Sequence, residues 1–208
     1  MLRGIGLKKM SKSDELEALK RRIESELVCP LKDSAKNLVF GKGNCDAKIL
    51  FIGEAPGEKE DLEGVPFVGS AGKQLDKLLH GIGLCLDDVY IANILKYRPP
   101  NNRAPSVDEI KRHTPFLIEQ IKIIQPKVVM TLGNYATKFV LANFSPDNMK
   151  SIEGTSVLHG KPKKMDIEGL SFTIVPCYHP AAVLYNPKLL IDLQNDFKVA
   201  RQVIDSEL

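Results

Sequence analysis

With 208 residues, 43% of them hydrophobic and 26% charged, the chain suits one compact domain over residues 1–208 better than two. No segment approaches the run of about 20 apolar residues that crosses a membrane, and the opening MLRGIGLKKMSKSDE turns charged too soon for a secretory signal, so a cytoplasmic location and no membrane partner are expected. A net charge of +3 permits contact with nucleic acid without arguing for it, and the widely spaced Cys29, Cys45, Cys85 and Cys177 read as free thiols rather than disulfides.

Residues 1–12 are expected to be a disordered lead-in. Leu16, Leu19, Ile23 and Leu27 then recur at helical spacing and predict an amphipathic helix over 14–27. A polar stretch ends at the turn-like GKGN (41–44), and KILFIG (48–53) reads as a buried strand. A loop rich in glycine and proline runs from Glu54 to Gly69. SAGKQLDKLLHGIG predicts a helix ended by Gly81 or Gly83, and VYIANIL (89–95) the second strand. After the loop KYRPPNNRAP, Ser106 and Glu109 have the spacing of a capping box, opening a helix to about Ile124 that Pro115 should kink. KVVMTLG (127–133) is the third strand, with a helix over NYATKFVLAN. A hairpin leads into the last core strand, 172–176, and 187–204 form the terminal helix. Strands and helices alternate throughout, which predicts an α/β fold: a three-layer α/β/α sandwich around a short, mainly parallel sheet.

In such folds ligands bind at the carboxyl ends of the strands, and Glu54, Phe67, Asn93 and His179 all fall just after, or at the end of, one. The first loop, GEAPGEKEDLEGVPFVGSAG, holds glycines that let backbone approach a ligand, and its VGSAG turn opens a helix whose free N–H groups suit an anion. It has neither Walker nor GxGxxG spacing. Glu54, Glu58, Glu60 and Asp61 suggest either a metal site or one working carboxylate among solvated ones; no convergent histidine or aspartate at metal spacing supports the first. Taken singly, Phe67 reads first as a core residue, Asn93 equally as a brace for loop backbone, and His179 as structural. The stiff, basic KYRPPNNRAP loop and the run Lys161–Lys164 are solvated connections or borders of a nucleic-acid backbone.

Taken together, these segments resemble the family-4 uracil-DNA glycosylases from about Cys29 to the C-terminal helix. The resemblance rests on three long blocks in order: GEAPGEKEDLEGVPFVGSAG, NILKYRPPNNRAP and CYHPAAVLYNP. It implies excision of uracil from DNA, single- or double-stranded, by a chain expected to be monomeric; contact with a sliding clamp is left open. By position, Glu54 and His179 are implied as catalytic, and Phe67, Asn93, Gly53 and Ala55 as uracil-binding. Ser70, Arg98, Arg103 and Leu184 are implied as DNA-binding, Leu184 as the wedge in the minor groove.

One departure stands out. The family holds a [4Fe–4S] cluster with a CxxC pair, a cysteine before RPP and another in the following helix. Here Cys29 keeps the first position, while Lys32, Tyr97 and His113 stand at the others. One thiolate cannot hold such a cluster, so no cofactor and no metal are expected; Zn²⁺ on Cys29 and His113 is the lesser reading, lacking two ligands. A binding module that recognises uracil without cutting it, and a nucleoside hydrolase, are the competing functions. The acid at position 54 favours an enzyme over the first, and the basic RPP loop favours a DNA substrate over the second.

Overall fold

Short apolar segments pair side by side at the centre of the molecule. In the computed structural model, which describes residues 10–206, four strands run parallel: β2 (Ile49–Gly53), β3 (Val89–Asn93), β4 (Val128–Leu132) and β6 (Leu170–Cys177). Short antiparallel strands close the two edges, β1 (Lys42–Gly43) on β3 and β5 (Lys163–Ile167) on β6, giving the order β1-β3-β2-β4-β6-β5. Every residue of β2, β3 and β4 is buried, as parallel strands covered on both faces require. The exposed lysines of β5 blunt the outer edge against further pairing.

Successive side chains along each strand serve opposite cores. Leu50, Ile52, Tyr90, Ala92, Val129 and Ile174 pack with α1 (Lys12–Glu26), α2 (Pro30–Ser34), α5 (Val107–Ile124) and α6 (Asn134–Leu141). Ile49, Phe51, Val89, Ile91, Val128, Met130 and Val175 meet α4 (Ser70–His80) and α9 (Leu189–Ser206) on the other face. The Phe51 and Phe197 rings stack there with centroids 5.6 Å apart, in the range of favourable aromatic pairs. The expected three-layer α/β/α arrangement is therefore the one observed. Three short helices, α3 (Glu58–Glu63), α7 (Thr155–Leu158) and α8 (Ala182–Tyr185), lie in its loops. Among the described residues no helix is long and apolar enough to cross a membrane.

Several boundaries differ from the sequence reading for physical reasons. Helix α1 starts at Lys12 because Ser11 and Asp14 form a capping box, so Ser11 and Lys12, expected in the lead-in, belong to the helix start; residues 1–9 lie outside the described residues. Gly57 and the left-handed Gly64 (φ 69°) bracket α3 inside a segment expected to be loop. Strand β3 stops at Asn93, where the N–H groups of Ile94 and Leu95 turn to the carbonyls of Gly53 and Glu54, at 2.9 and 3.1 Å. Helix α5 does begin with the expected box: Ser106 Oγ accepts from Glu109 N at 3.2 Å, and a Glu109 carboxylate oxygen accepts from Ser106 N at 2.8 Å. It continues through Pro115 to Ile124.

Candidate active site

The carboxyl ends of the strands open on a pocket of about 190 Å³ lined by Ala55, Gly57, Glu60, Phe67, Ala71, Asn93 and His179. That is below the roughly 300–1,000 Å³ of drug-sized ligand sites; it suits a single heterocycle.

Phe67 adopts φ 52°, a left-handed conformation that is strained for a bulky residue and persists only where its surroundings fix it. Three contacts do so. The backbone of Gly72 lies so close that a Cβ there would sit 1.9 Å from the Phe67 carbonyl oxygen. Lys42 Nζ donates to that same oxygen at 3.3 Å. Glu60 Oε1 accepts from the N–H groups of Val68 and Gly69 at 3.0 and 2.9 Å, clasping the chain just after the ring. The Phe67 ring then stacks near His179, with centroids 5.8 Å apart and planes inclined by 27°.

Gly53, at the end of β2, does not itself line the pocket but makes room for two side chains that do. A Cβ on it would meet Asn93 Oδ1 at 2.3 Å and the Phe67 ring at 3.3 Å, so only glycine lets the amide and the aromatic ring share this space. Asn93 is 3% exposed, and its carboxamide makes no hydrogen bond to the described residues; it opens on the pocket. The amide is thus enclosed by protein on all sides but the pocket, where its donor and acceptor are free to meet a polar group.

His179 follows β6 in a tight turn. Its Nδ1 accepts the Ala181 N–H at 3.2 Å, which leaves the ring proton on Nε2. Burial draws its pKa down to about 4, against the opposing pull of the Glu60 charge, so the ring is neutral at pH 7. Glu54 differs from its expected neighbours: its carboxyl is not among the groups lining the pocket, although Ala55 beside it is. It is half-buried, and burial raises its pKa above 4.5.

The residues expected at the DNA surface lie on separate elements, and none of them lines the pocket. Ser70 is exposed at the first turn of α4. Arg98 Nε donates to Asn102 Oδ1 at 2.8 Å. Arg103 is held within the protein by a bidentate pair with Glu109, at 2.9 and 2.5 Å, which draws the Glu109 pKa to about 2. Leu184 is 53% exposed on α8, and Tyr185 beside it is 89% exposed. The sequence reading passed over Tyr185, and it treated Glu60 as one acid among four. Asp61, another of the four, accepts from the N–H groups of Lys36 and Asn37 at 2.9 and 3.2 Å. These two carboxylates therefore serve backbone donors.

Residues 40–204 match the model of a family described as the Uracil DNA glycosylase superfamily. The chain belongs to that superfamily. Within it, the chain is 43% identical to the Type-4 uracil-DNA glycosylase of Saccharolobus solfataricus, covering 93% of this chain and 88% of that one. Identity is 42% to the Type-4 enzyme of Archaeoglobus fulgidus (89% and 91% covered) and 38% to that of Thermotoga maritima (85% and 86%). It is a member of the family-4 branch of the glycosylase superfamily.

The positions at which family-4 glycosylases are implied to hold a [4Fe–4S] cluster do not make a four-thiolate site here. Cys29 is 5% exposed, and burial raises its thiol pKa. Lys32 Nζ donates to the Glu24 carbonyl, tying α2 back to α1. Tyr97 packs edge-on against His113, with centroids 6.3 Å apart. His113 Nδ1 donates to the Glu109 carbonyl at 2.8 Å, its Nε2 is buried without a partner, and burial lowers its pKa to about 4. Cys45, Cys85 and Cys177 lie elsewhere: beside Asp46, before Leu86, and at the end of β6.

Proposed function

We propose that this protein hydrolyses the N-glycosidic bond of deoxyuridine in DNA, single- or double-stranded, releasing uracil and leaving an abasic site for base excision repair. The observation that carries the reading is the pocket itself: room for one heterocycle, with an unpartnered carboxamide, an aromatic face and a neutral imidazole on its walls. A base inside a duplex cannot be reached, so it must be turned out of the stack, and an exposed apolar pair such as Leu184 and Tyr185 suits the gap left behind. The Phe67 ring replaces lost stacking. The Asn93 amide donates to uracil O4 and accepts from N3–H, whereas cytosine presents the opposite pattern and leaves buried groups unpaired. His179 donates its Nε2–H to O2, where negative charge builds as the base departs. Glu54 then positions water or stabilises the cationic sugar.

The protein works, on this proposal, as a cytoplasmic monomer without a resident iron–sulfur cluster. Support for the last point is the single thiol at the four cluster positions, the tie of Lys32 to the Glu24 carbonyl and the packing of Tyr97 on His113, whose one unpartnered nitrogen does not make up a ligand set. The test of function is incubation with a uracil-containing oligonucleotide, free of added metal or nucleotide, followed by assay for alkali-labile breaks and free uracil. Both are expected. Tight binding with neither product would mean a binding module, and activity restored only by a divalent ion after EDTA would mean a metal-dependent hydrolase.

A further inference from the structure

Beneath the pocket lies a lysine that the chemistry above does not use. Lys96 is fully buried, and it is among the largest side chains so enclosed. Its Nζ donates to the Asn93 carbonyl at 3.0 Å, to the Phe40 carbonyl at 3.3 Å and to Gln120 Oε1. Gln120 Nε2 donates in turn to the Phe40 carbonyl at 3.0 Å. An ammonium has three N–H donors and no acceptor, so three oxygens from three separate segments match it one for one. The Phe40 ring adds a face 6.0 Å from the nitrogen, within range of a cation–π contact. Among the described residues no carboxylate lies within 4.0 Å of it. Burial alone draws its pKa to about 7. The nearby titratable groups, His113 on α5 and Tyr90 on β3, are both neutral at that pH.

Burying a cation without a counter-ion is unfavourable, and an apolar residue would fill the space more stably. Local rules broken in this way are expected where function requires them. The arrangement has a counterpart across the pocket: Lys42, two residues beyond Phe40, holds the carbonyl of Phe67. The two residues that would grip the base thus each have a backbone oxygen held by a lysine.

We infer that Lys96 is a positioning residue for base recognition, its ammonium fixing the backbone of Asn93 and with it the place where the carboxamide meets the base. This rests on the proposal that Asn93 reads uracil, and the two are separable by a double-mutant cycle. Single-turnover excision is measured for the wild type, Lys96→Met, Asn93→Ala and the double variant, with thermal melting of each. Displacing a recognition group by a fraction of an ångström is expected to slow excision on the order of tenfold when Asn93 is present. In the Asn93→Ala background the same change is expected to cost less than about twofold, because the group it positions is gone. Equal losses in both backgrounds would mean a merely structural lysine and would overturn the inference, as would no loss in either. An Asn93→Ala variant with wild-type rate would instead overturn the reading of Asn93. Should Lys96→Met fail to fold, Gln120→Leu replaces it in the same cycle; it removes one of the three acceptors and is expected to give the same pattern at smaller size.

Discussion

Because the Ala181 N–H occupies Nδ1 of His179, the ring has one proton to offer, on Nε2. Because its pKa is about 4, that proton is present as a neutral donor throughout the physiological range. A hydrogen bond to developing charge acts mainly in the transition state, so His179→Ala is expected to slow single-turnover excision over about a hundredfold, roughly 3 kcal/mol, while DNA affinity changes little. His179 should also put no break in the rate at the ordinary histidine pKa of about 6.5; a fall through about pH 7 belongs to the Lys96 ammonium. An acid limb, where present, belongs to Glu54, whose pKa burial raises above 4.5, and Glu54→Gln should remove it. A break near 6.5 that persists in Lys96→Met, which has no ammonium to titrate near 7, would show that the ring works as a cation. Phe67, Asn93 and His179 were legible in the sequence because each sits at or beyond the end of an apolar run and inside a long matching block. The clasp by Glu60 was not. Its partners are backbone N–H groups eight and nine residues onward, and only the folded loop brings them together.

At the scale of elements, hydrophobic runs recorded burial faithfully and hydrogen bonding less so. Ile94 and Leu95 are as buried as the strand before them, so the run VYIANIL gave no sign that pairing stops at Asn93. Helix α3, with sequence EKEDLE, has no apolar stripe long enough to announce a helix. The capping box of α5 was readable because both of its members lie within one turn. The junction between the first loop and α4 is where an element most directly shapes the pocket. Gly72, in the first turn of α4, touches the Phe67 backbone so closely that a methyl group would overlap it. Gly72→Ala is therefore expected to destabilise the fold by about 1–3 kcal/mol through overpacking, and to lower excision further than that loss explains. Melting temperature and single-turnover rate measured together decide it: a variant that melts lower but cuts at the wild-type rate would mean that the strained Phe67 conformation is dispensable.

For the molecule as a whole, counting thiols in the sequence shows one cysteine at the four positions where the resemblance implies cluster ligands, but not what the other three do: the Lys32 tie, the Tyr97–His113 packing and the nearby Arg103–Glu109 pair appear only in three dimensions. Anaerobically purified protein should accordingly be colourless and free of stoichiometric iron; about four irons per chain would refute the proposal. Buried imidazoles also set stability against acid. Two buried histidines, His113 and His179, have pKa values near 4, against about 6.5 in the unfolded chain. Between those values the unfolded state binds protons that the folded state refuses, so stability falls as pH drops from 6.5 toward 4. Asp196 works in the opposite sense: its pKa, raised to about 6 by burial, means that the folded state keeps a proton between 3.8 and 6 that the unfolded state releases. The two histidines outweigh Asp196; Glu109, held near 2 by Arg103, adds to the loss at the acid end, and Glu54, raised by burial, opposes it, so acidification costs a net amount on the order of a few kcal/mol. Melting temperature should fall slightly from pH 7.5 to 6.5, where Lys96 takes up its proton in the folded state at about 7 against about 10.4 in the unfolded chain, and then steadily to pH 4.5. His113→Leu should flatten part of that decline, because it removes one proton acceptor along with a buried nitrogen that has no partner. A melting temperature unchanged between pH 6.5 and 4.5 would mean that neither imidazole is as sealed from protons as its surroundings imply.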